Sequence, residues 1–485
     1  MRSLLGVLNA VGSLLALFAL YYALPLLTAF FYREAALRDF ALSAAITFAI
    51  GMGLKLATQR FTSELKPRDG YLLVTISWLS IAALATIPLM RQIPELSFTD
   101  AFFETMSGLS TTGATILTGI DALPHAVNLW REALSWLGGM GIIVMAVAIL
   151  PLLGVGGMQM YRAESPGAVK DARLTSRIIQ TAKLLWMVYV GITALCALSL
   201  WLAGMSGFDA ICHAFATVGL GGFSTHDASI GYFNSPAIEL VLIVFMLLAA
   251  MNFSTHFTAL RRGSFQPYAR DPEVRWLLVW IIASCLGVAA YVRVAHVYPD
   301  YFTALRYVGF NLVSIATTSG FVNTDYGTWP VFAPMWMLFL SCVCASSGST
   351  GGGVKIFRSL VLIKQSMREM FSLVHPSAVA PLKIAGTVIA NRVVFAVLGF
   401  IFIYFMTIVV LTFALLASGL DFISAFSAII ACINNTGPGL GVVGPHTNYA
   451  ALTDFQTWVC TAGMFLGRIE LFTCMVIFTR TFWRK

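Results

Sequence analysis

The sequence predicts an all-α polytopic membrane protein. Four helix–re-entrant pore loop–helix repeats surround one pseudo-fourfold pore, and two N-terminal transmembrane helices precede them. Three observations carry this expectation. Of 485 residues 58% are apolar and only 11% are charged, with a mean hydropathy of +0.83, where a soluble chain carries roughly 25% charged residues. So little polar surface cannot cover a globule in water, which excludes a soluble enzyme, a nucleic-acid binder and a disordered chain. Apolar runs recur at the length of about 20 residues that a spanning helix needs. Finally, four shorter semi-apolar segments share one pattern.

Taken in order, ten spans are expected near 4–31, 38–57, 71–91, 130–154, 182–204, 237–260, 276–298, 332–363, 387–417 and 454–480. Met1-Arg2 before the first run has the charge order of a signal sequence, but the run is far longer than the roughly 7–15-residue apolar region of a cleaved signal. It reads as a span. The segments 99–111, 208–220, 303–318 and 421–435 are too short to cross and end in Gly/Thr/Asn clusters. They read as re-entrant helices, tolerated where protein or water satisfies the broken backbone.

Positive charge orients the chain. Lys66, Arg68, Arg162, Lys170, Arg173, Arg177, Lys183, Arg261, Arg262, Arg270 and Arg275 lie on one side, with Lys355, Arg358, Lys364, Arg368, Lys383, Arg392, Arg480, Arg484 and Lys485. The other side holds Arg33, Arg38, Arg91, Arg131, Arg293 and Arg306. The excess marks the cytoplasm, so both termini are expected there and all four short segments outside. The eight cysteines form no C-x-x-C and read as small buried hydrophobes, without a disulfide frame or a metal site.

The short segments align. Asp100, Asp209 and Ser424 each stand thirteen residues before a glycine, Gly113, Gly222 and Gly437, and the same count back from Gly320 reaches Tyr307. The copies end in Thr111-Thr112-Gly113, Leu220-Gly221-Gly222, Thr318-Ser319-Gly320 and Asn435-Thr436-Gly437. Thr217-Val218-Gly219 competes in the second copy; common spacing and the match of Gly222-Phe223 to Gly320-Phe321 favour Gly222. Ordinary Gly/Thr turns would not keep one register on one side. Re-entrant segments of this kind can point rings of carbonyl oxygens at an axis and replace the water shell of a monovalent cation. Glycine supplies backbone angles that a Cβ forbids. Asp100, Asp209 and Asp421 at the helix starts can serve as N-caps or attract cations.

These strings resemble the Trk/Ktr/HKT superfamily of potassium transporters, and its Trk branch in particular. The resemblance rests on Ser110-Thr111-Thr112-Gly113-Ala114-Thr115, Gly221-Gly222-Phe223-Ser224-Thr225-His226-Asp227, Ala316-Thr317-Thr318-Ser319-Gly320-Phe321 and Asn434-Asn435-Thr436-Gly437-Pro438-Gly439, and extends to the N-terminal helix pair. It implies a selectivity filter with one glycine per loop. Leu220-Gly221 departs from the Thr-rich pattern, so the second copy is expected to offer backbone carbonyls only. Gly113, where some sodium-admitting relatives carry serine, points to potassium.

Span eight is interrupted by the small residues 345–353, including Gly348, Gly351, Gly352 and Gly353. The spacing Gly348-x4-Gly353 fails as a phosphate-binding loop because Val354 follows in place of lysine and no strand precedes it. A flexible kink is one reading; the resemblance implies a gate below the filter. Arg468 lies fourteen residues into the last span, about 21 Å along a helix. Glu470, two positions on, faces elsewhere. Arg468 reads either as half of a salt bridge to another helix or, by resemblance, as a charge beside the ion path. Asn252 and His256 read as interhelical hydrogen bonders.

The leading expectation is potassium transport across a bacterial inner membrane, with no cofactor beyond the transported ion. A proton- or sodium-coupled symporter is the alternative, for which Glu239 and Glu470 are the deep carboxylates. A lipid-acting membrane enzyme is the distant one, since only His226-Asp227 are adjacent and His213, His256 and His375 are scattered. The resemblance implies a homodimer on a cytoplasmic nucleotide-binding regulatory ring, docked on the basic loops 159–181 and 364–386. The units expected are 1–70, 71–158, 159–262, 263–364 and 365–485.

Overall fold

In lipid a backbone satisfies its own polar groups as helix, and helices dominate the computed structural model, which describes residues 2–61, 67–144, 174–378 and 380–484. An N-terminal run, α1 (Arg2–Phe18) and α2 (Ala23–Phe31), joins through one 3-10 turn and is followed by α3 (Ala36–Thr58). Four units then repeat long helix, short helix, long helix. The first is α4 (Pro67–Gln92), α5 (Phe98–Leu109) and α6 (His125–Val144). The second is α7 (Leu174–Leu202), α8 (Gly207–Gly219), α9 (Pro236–Ala250) and α10 (Phe253–Arg262); the short α11 (Gln266–Arg270) follows. The third is α12 (Pro272–Val294), α13 (Tyr301–Ala316), α14 (Phe332–Val343) and α15 (Ile356–Val374). The fourth is α16 (Asn391–Ala417), α17 (Phe422–Ile433), α18 (Asp454–Arg468) and α19 (Leu471–Met475). The interior is largely apolar, as in a water-soluble fold, but the periphery is apolar too and polar groups lie inside. Leu20, Phe31, Val294, Phe402 and Phe413 are exposed at their outer faces, while Thr112, Ser319, Asn435 and Arg468 are buried.

Among the described residues six helices are long and apolar enough to span a bilayer, and two bent pairs make up to eight. The remaining two expected spans are the fourth, described only to Val144, and the eighth, interrupted between α14 and α15. The expected boundary at 158/159, the loop 159–181 up to residue 173, and Arg162, Lys170 and Arg173 lie outside the described residues.

Spans six and ten, expected to be continuous, are broken. The sixth bends by 98° between α9 and α10. Met251 is extended there, and the Asn252 side chain caps α10 by accepting from Ser254 N at 2.8 Å. The tenth bends by 108° between α18 and α19, where Glu470 takes φ 56°. Apolar length shows neither break, because both halves stay apolar enough to read as one run.

The four short helices start on side-chain caps, which satisfy N–H groups that the helix cannot. Ser97 accepts from Asp100 N, Ser206 from Asp209 N, Asp300 from Thr303 N and Asp421 from Ser424 N. Asp421 is thus an N-cap as expected. Asp100 and Asp209 instead sit in the first turn, each accepting from its capping serine hydroxyl at 2.8 Å. In the third copy the leading carboxylate is Asp300, further upstream because α13 is 16 residues long.

The N-terminal helices pack on one another through glycines and on the first repeat through aromatic rings. At Gly12 and Gly51 the backbones of α1 and α3 touch: a Cβ on Gly51 would lie 2.5 Å from Ala16 N. Higher up, Trp130 of α6 stacks on Tyr22 at 4.4 Å and donates to Ala85 O at 3.2 Å. Close backbone approach through small residues is the main attraction available between helices in lipid. Gly51→Val should therefore destabilise the protein by about 1–3 kcal/mol, read as an earlier thermal unfolding in detergent. Because the contact is remote from the axis, the ion preference of the surviving folded protein should not change.

Candidate functional site

Each short helix is followed by the same backbone excursion. The first residue of each triplet takes a left-handed φ: 56° at Thr111, 55° at Leu220, 64° at Thr318 and 55° at Asn435. Two residues on, the glycines follow at 75°, 62°, 92° and 89° for Gly113, Gly222, Gly320 and Gly437. Gly222 therefore occupies the position equivalent to the other three. Gly219 is the last residue of α8 and packs on the backbone of Ser135.

The four strands close into a ring. A Cβ on Gly113 would strike Gly221 O, one on Gly222 would strike Ser319 O, and one on Gly320 would strike Thr436 O. A Cβ on Gly437 would lie 2.7 Å from Thr112 O and complete the cycle. The repeats thus surround one axis in chain order, each glycine against the carbonyl that precedes the next copy's glycine. Gly221 O also accepts from Phe223 N at 2.9 Å. Thr112 O, Ser319 O and Thr436 O accept no hydrogen bond among the described residues, although all three residues are fully buried. Buried carbonyls are rarely left so.

Behind the ring, each short helix holds its own outgoing strand with one polar side chain. Glu104 accepts from Thr115 Oγ1 and Ile116 N, both at 3.0 Å. His213 Nε2 meets Ser224 Oγ at 2.9 Å, Asn311 Nδ2 donates to Asn323 Oδ1 at 2.5 Å, and Leu440 N donates to Ser427 Oγ at 2.8 Å. Glu104, His213 and Asn311 all stand nine residues before their glycine, a second fixed register in the sequence that the glycine spacing alone overlooks. Arg131, expected as an external charge, is in fact buried. Its Nε donates to Glu104 at 2.8 Å and its Nη1 to Ser224 O at 3.2 Å, with the guanidinium 4.3 Å over the Phe223 ring. One ion pair thus clamps the first two strands together. Asn435 joins the fourth to the first by donating to Thr112 Oγ1 at 3.0 Å.

Outside the ring, His226 Nδ1 lies 2.5 Å from Asp121 Oδ1 and the imidazole stacks on Tyr232. Burial alone would lower this imidazole's pKa; the carboxylates of Asp209, 3.6 Å from Nε2, and Asp121 outweigh it and raise the group above its usual value.

Below the ring lies the 344–355 interruption. Gly352 N donates to Thr318 Oγ1 at 2.9 Å, and a Cβ on Gly352 would strike Asn434 O. A Cβ on Gly351 would lie 3.2 Å from Thr317 O. Gly348 is placed differently, exposed and against Asn252, and Gly353 packs on Ser341 O. Thr350 Oγ1 donates to Val218 O at 3.0 Å, and Ser346 N donates to Ala250 O at 3.0 Å. Arg468 donates to Thr350 O and to Gly138 O, each at 2.8 Å. Among the described residues it has no carboxylate partner. Glu470 pairs instead with Arg358 at 3.1 Å, and that guanidinium lies 4.0 Å over Phe400. His256 is satisfied by Tyr268 OH and Leu248 O. No cluster of three or more His, Cys, Asp or Glu side chains that could hold a metal occurs among the described residues, and all eight cysteines are free.

The TrkH family model, described as "Cation transport protein", matches residues 36–485. The Trk system potassium uptake protein TrkH of Salmonella typhimurium is 45% identical over 482 residues, covering 99% of both chains. The protein of the same name from Escherichia coli K12 is 44% identical over 482 residues, again 99% of both. The TrkG protein of that strain is 37% identical over 481 residues, 99% of this chain and 98% of its own. The crystal structure of the potassium transporter TrkH from Vibrio parahaemolyticus superposes with a TM-score of 0.90 at 43% identity, covering 99% of this chain and 100% of the other. Both the ring geometry and these likenesses set an enzyme aside, and the chain belongs to the TrkH family of cation transport proteins, within the Trk/Ktr/HKT superfamily.

Proposed function

We propose that the chain carries potassium across the bacterial inner membrane, with both termini in the cytoplasm. The selectivity filter is formed by Thr111-Thr112-Gly113, Leu220-Gly221-Gly222, Thr318-Ser319-Gly320 and Asn435-Thr436-Gly437. The observation that carries this reading is the closed cycle of strands in which Thr112 O, Ser319 O and Thr436 O are buried without a hydrogen-bond donor. A ring of such carbonyls can replace the water shell of a monovalent cation. The relatives' names as potassium uptake proteins support the choice of ion. The units of the protein are the N-terminal pair, 1–70, and four pore repeats, 71–158, 159–262, 263–364 and 365–485, although the boundaries after 70 and 364 fall inside α4 and α15, which shifts them to the start of α4 and the end of α15.

The loop 345–353 is the gate in this proposal. It stands under the strands in repeats three and four and is tied to Arg468 through Thr350 O. It is held by hydrogen bonds and close packing of its glycines, with no helix of its own to break when it leaves. Arg468 both fixes the loop and puts a positive charge near the path. Two copies of the chain on a cytoplasmic nucleotide-binding ring complete the system. The expected loop 364–386 is helical up to Val374, and the hairpin Lys383–Ile384 with Thr387–Val388 that follows is tied back to α15 by Lys364 Nζ donating to Lys383 O at 2.6 Å; this basic segment is the docking surface for that ring in the proposal.

A second reading, proton-coupled symport, is favoured by Glu132. Besides Glu239 and Glu470, the membrane interior holds Glu104 and Glu132. Glu104 is paired with Arg131, whereas both Glu132 oxygens are buried without a hydrogen-bond partner. A carboxyl in that setting is a place where a proton can be held.

In proteoliposomes, Gly113→Ser and Gly222→Ser should each lower potassium over sodium preference about ten-fold, as a side chain displaces the facing carbonyl. Gly219→Ser should change it less; the reverse order would move the second strand three residues upstream. Deleting 348–353, or replacing Arg468 by Ala, should raise rubidium influx several-fold at unchanged ion preference, and an inserted deletion variant with no higher influx would leave the segment a mere kink. If transport is proton-coupled, Glu132→Gln should abolish acceleration by an inward proton gradient while passive flux persists. A wild-type protein indifferent to that gradient would remove the symport reading.

A further inference from the structure

A loop inside the membrane must have its backbone groups satisfied by protein or water, and the anchors of the 344–355 loop come from three directions. Strand residues hold it from above, Arg468 holds it from the side, and at its own end Lys355 folds back to donate to Gly351 O at 2.7 Å. A fourth anchor is a carboxylate from another helix. Glu273, buried in the first turn of α12, accepts from Ser347 N at 2.7 Å. The start of a 23-residue helix favours a carboxylate there. The next loop residue is tied to the broken sixth span, where Gly348 O accepts from Phe253 N at 3.2 Å.

Those two anchors are parts of one unit. Asp271 caps α12 by accepting from Glu273 N at 2.9 Å, and its other oxygen accepts from Thr255 Oγ1 of α10 at 2.8 Å. His256 of α10 meets Tyr268 OH of α11 at 2.8 Å. The elbow formed by α10, α11 and the start of α12 is therefore internally bonded and grips the loop at residues 347 and 348.

We infer that Glu273 is a positioning residue that latches the gate loop closed, so that displacement of the α10–α11–α12 elbow on the cytoplasmic side releases the loop at Ser347. The inference rests on the reading of 345–353 as a gate. It adds a point of control outside both the permeation path and Arg468.

The test is rubidium influx into proteoliposomes holding the purified full chain. Glu273→Ala leaves Ser347 N without its acceptor and should raise influx about ten-fold, at unchanged potassium over sodium preference. Glu273→Asp keeps the charge but is one methylene too short, and should behave like Ala. Glu273→Gln keeps an acceptor oxygen and should raise influx less. In a chain lacking 348–353 the same substitutions should add nothing, because the latch then has no loop to hold. Unchanged influx in inserted Glu273→Ala or Glu273→Asp protein would overturn the latch while leaving the gate in place. So would an increase that persists in full without the loop. If the loop deletion itself fails to raise influx, the gate reading falls first and takes the latch with it. Should the Ala variant not fold, an influx order of Asp above Gln above wild type supports the latch equally well, and equal influx in all three overturns it.

Discussion

Four strands of bare backbone meet around one axis, and there is no room for a Cβ where each glycine faces its neighbour's carbonyl. Everything else in the molecule is arranged around that contact. Because the clash runs from Gly113 to Gly221, from Gly222 to Ser319, from Gly320 to Thr436 and from Gly437 to Thr112, the requirement is cyclic and no single strand can relax alone. A side chain at any one of the four positions would push two repeats apart. The left-handed residue two places earlier in each copy turns the chain out of its short helix and into the ring. This excursion is tolerated at Thr111, Leu220, Thr318 and Asn435 because the following backbone is held from behind.

That support is polar, although it lies deep in an apolar protein. An unpaired charge in such surroundings costs several kcal/mol, so Arg131 and Glu104 come as a pair, and both add hydrogen bonds to outgoing strands. His213, Asn311 and Ser427 do the neutral version of the same work in the other copies. Such a network, buried and nearly fully satisfied, specifies one arrangement of the strands. A greasy wall would let them slide.

The breaks in spans six, eight and ten follow from one need. A loop of non-helical backbone below the ring has donors and acceptors that lipid cannot satisfy. The bend at Met251–Asn252 frees the last carbonyls of α9 and the first N–H of α10, and the loop uses Ala249 O, Ala250 O and Phe253 N. At the bend after Arg468, the chain turns so that Arg468 reaches Thr350 O while Glu470 swings away to Arg358. Broken helices and interrupted helix are thus complementary surfaces of one polar contact.

Membrane class, the near positions of the spans and the fourfold repeat were legible in the sequence because each is a property of local composition or spacing. The length of an apolar run reports the thickness it must cross, and a glycine at fixed register reports a backbone angle. The Gly219/Gly222 ambiguity was resolvable in principle by the same spacing, since equivalent backbone turns need equivalent counts. What only the tertiary structure decided is which groups meet across repeats. Arg131 reads as one more external arginine until Glu104 is found opposite it, and Asp300 caps its helix at a distance from the glycine that the other copies do not share. The bends in spans six and ten leave no mark in hydropathy, because their cause is a hydrogen-bonding partner far along the chain. Arg468 and Glu470 were separable by helical geometry alone, but their partners, Thr350 and Arg358, lie more than a hundred residues away. Local sequence dictates what a segment can become; only the packed chain supplies the donors and acceptors that decide where it must break.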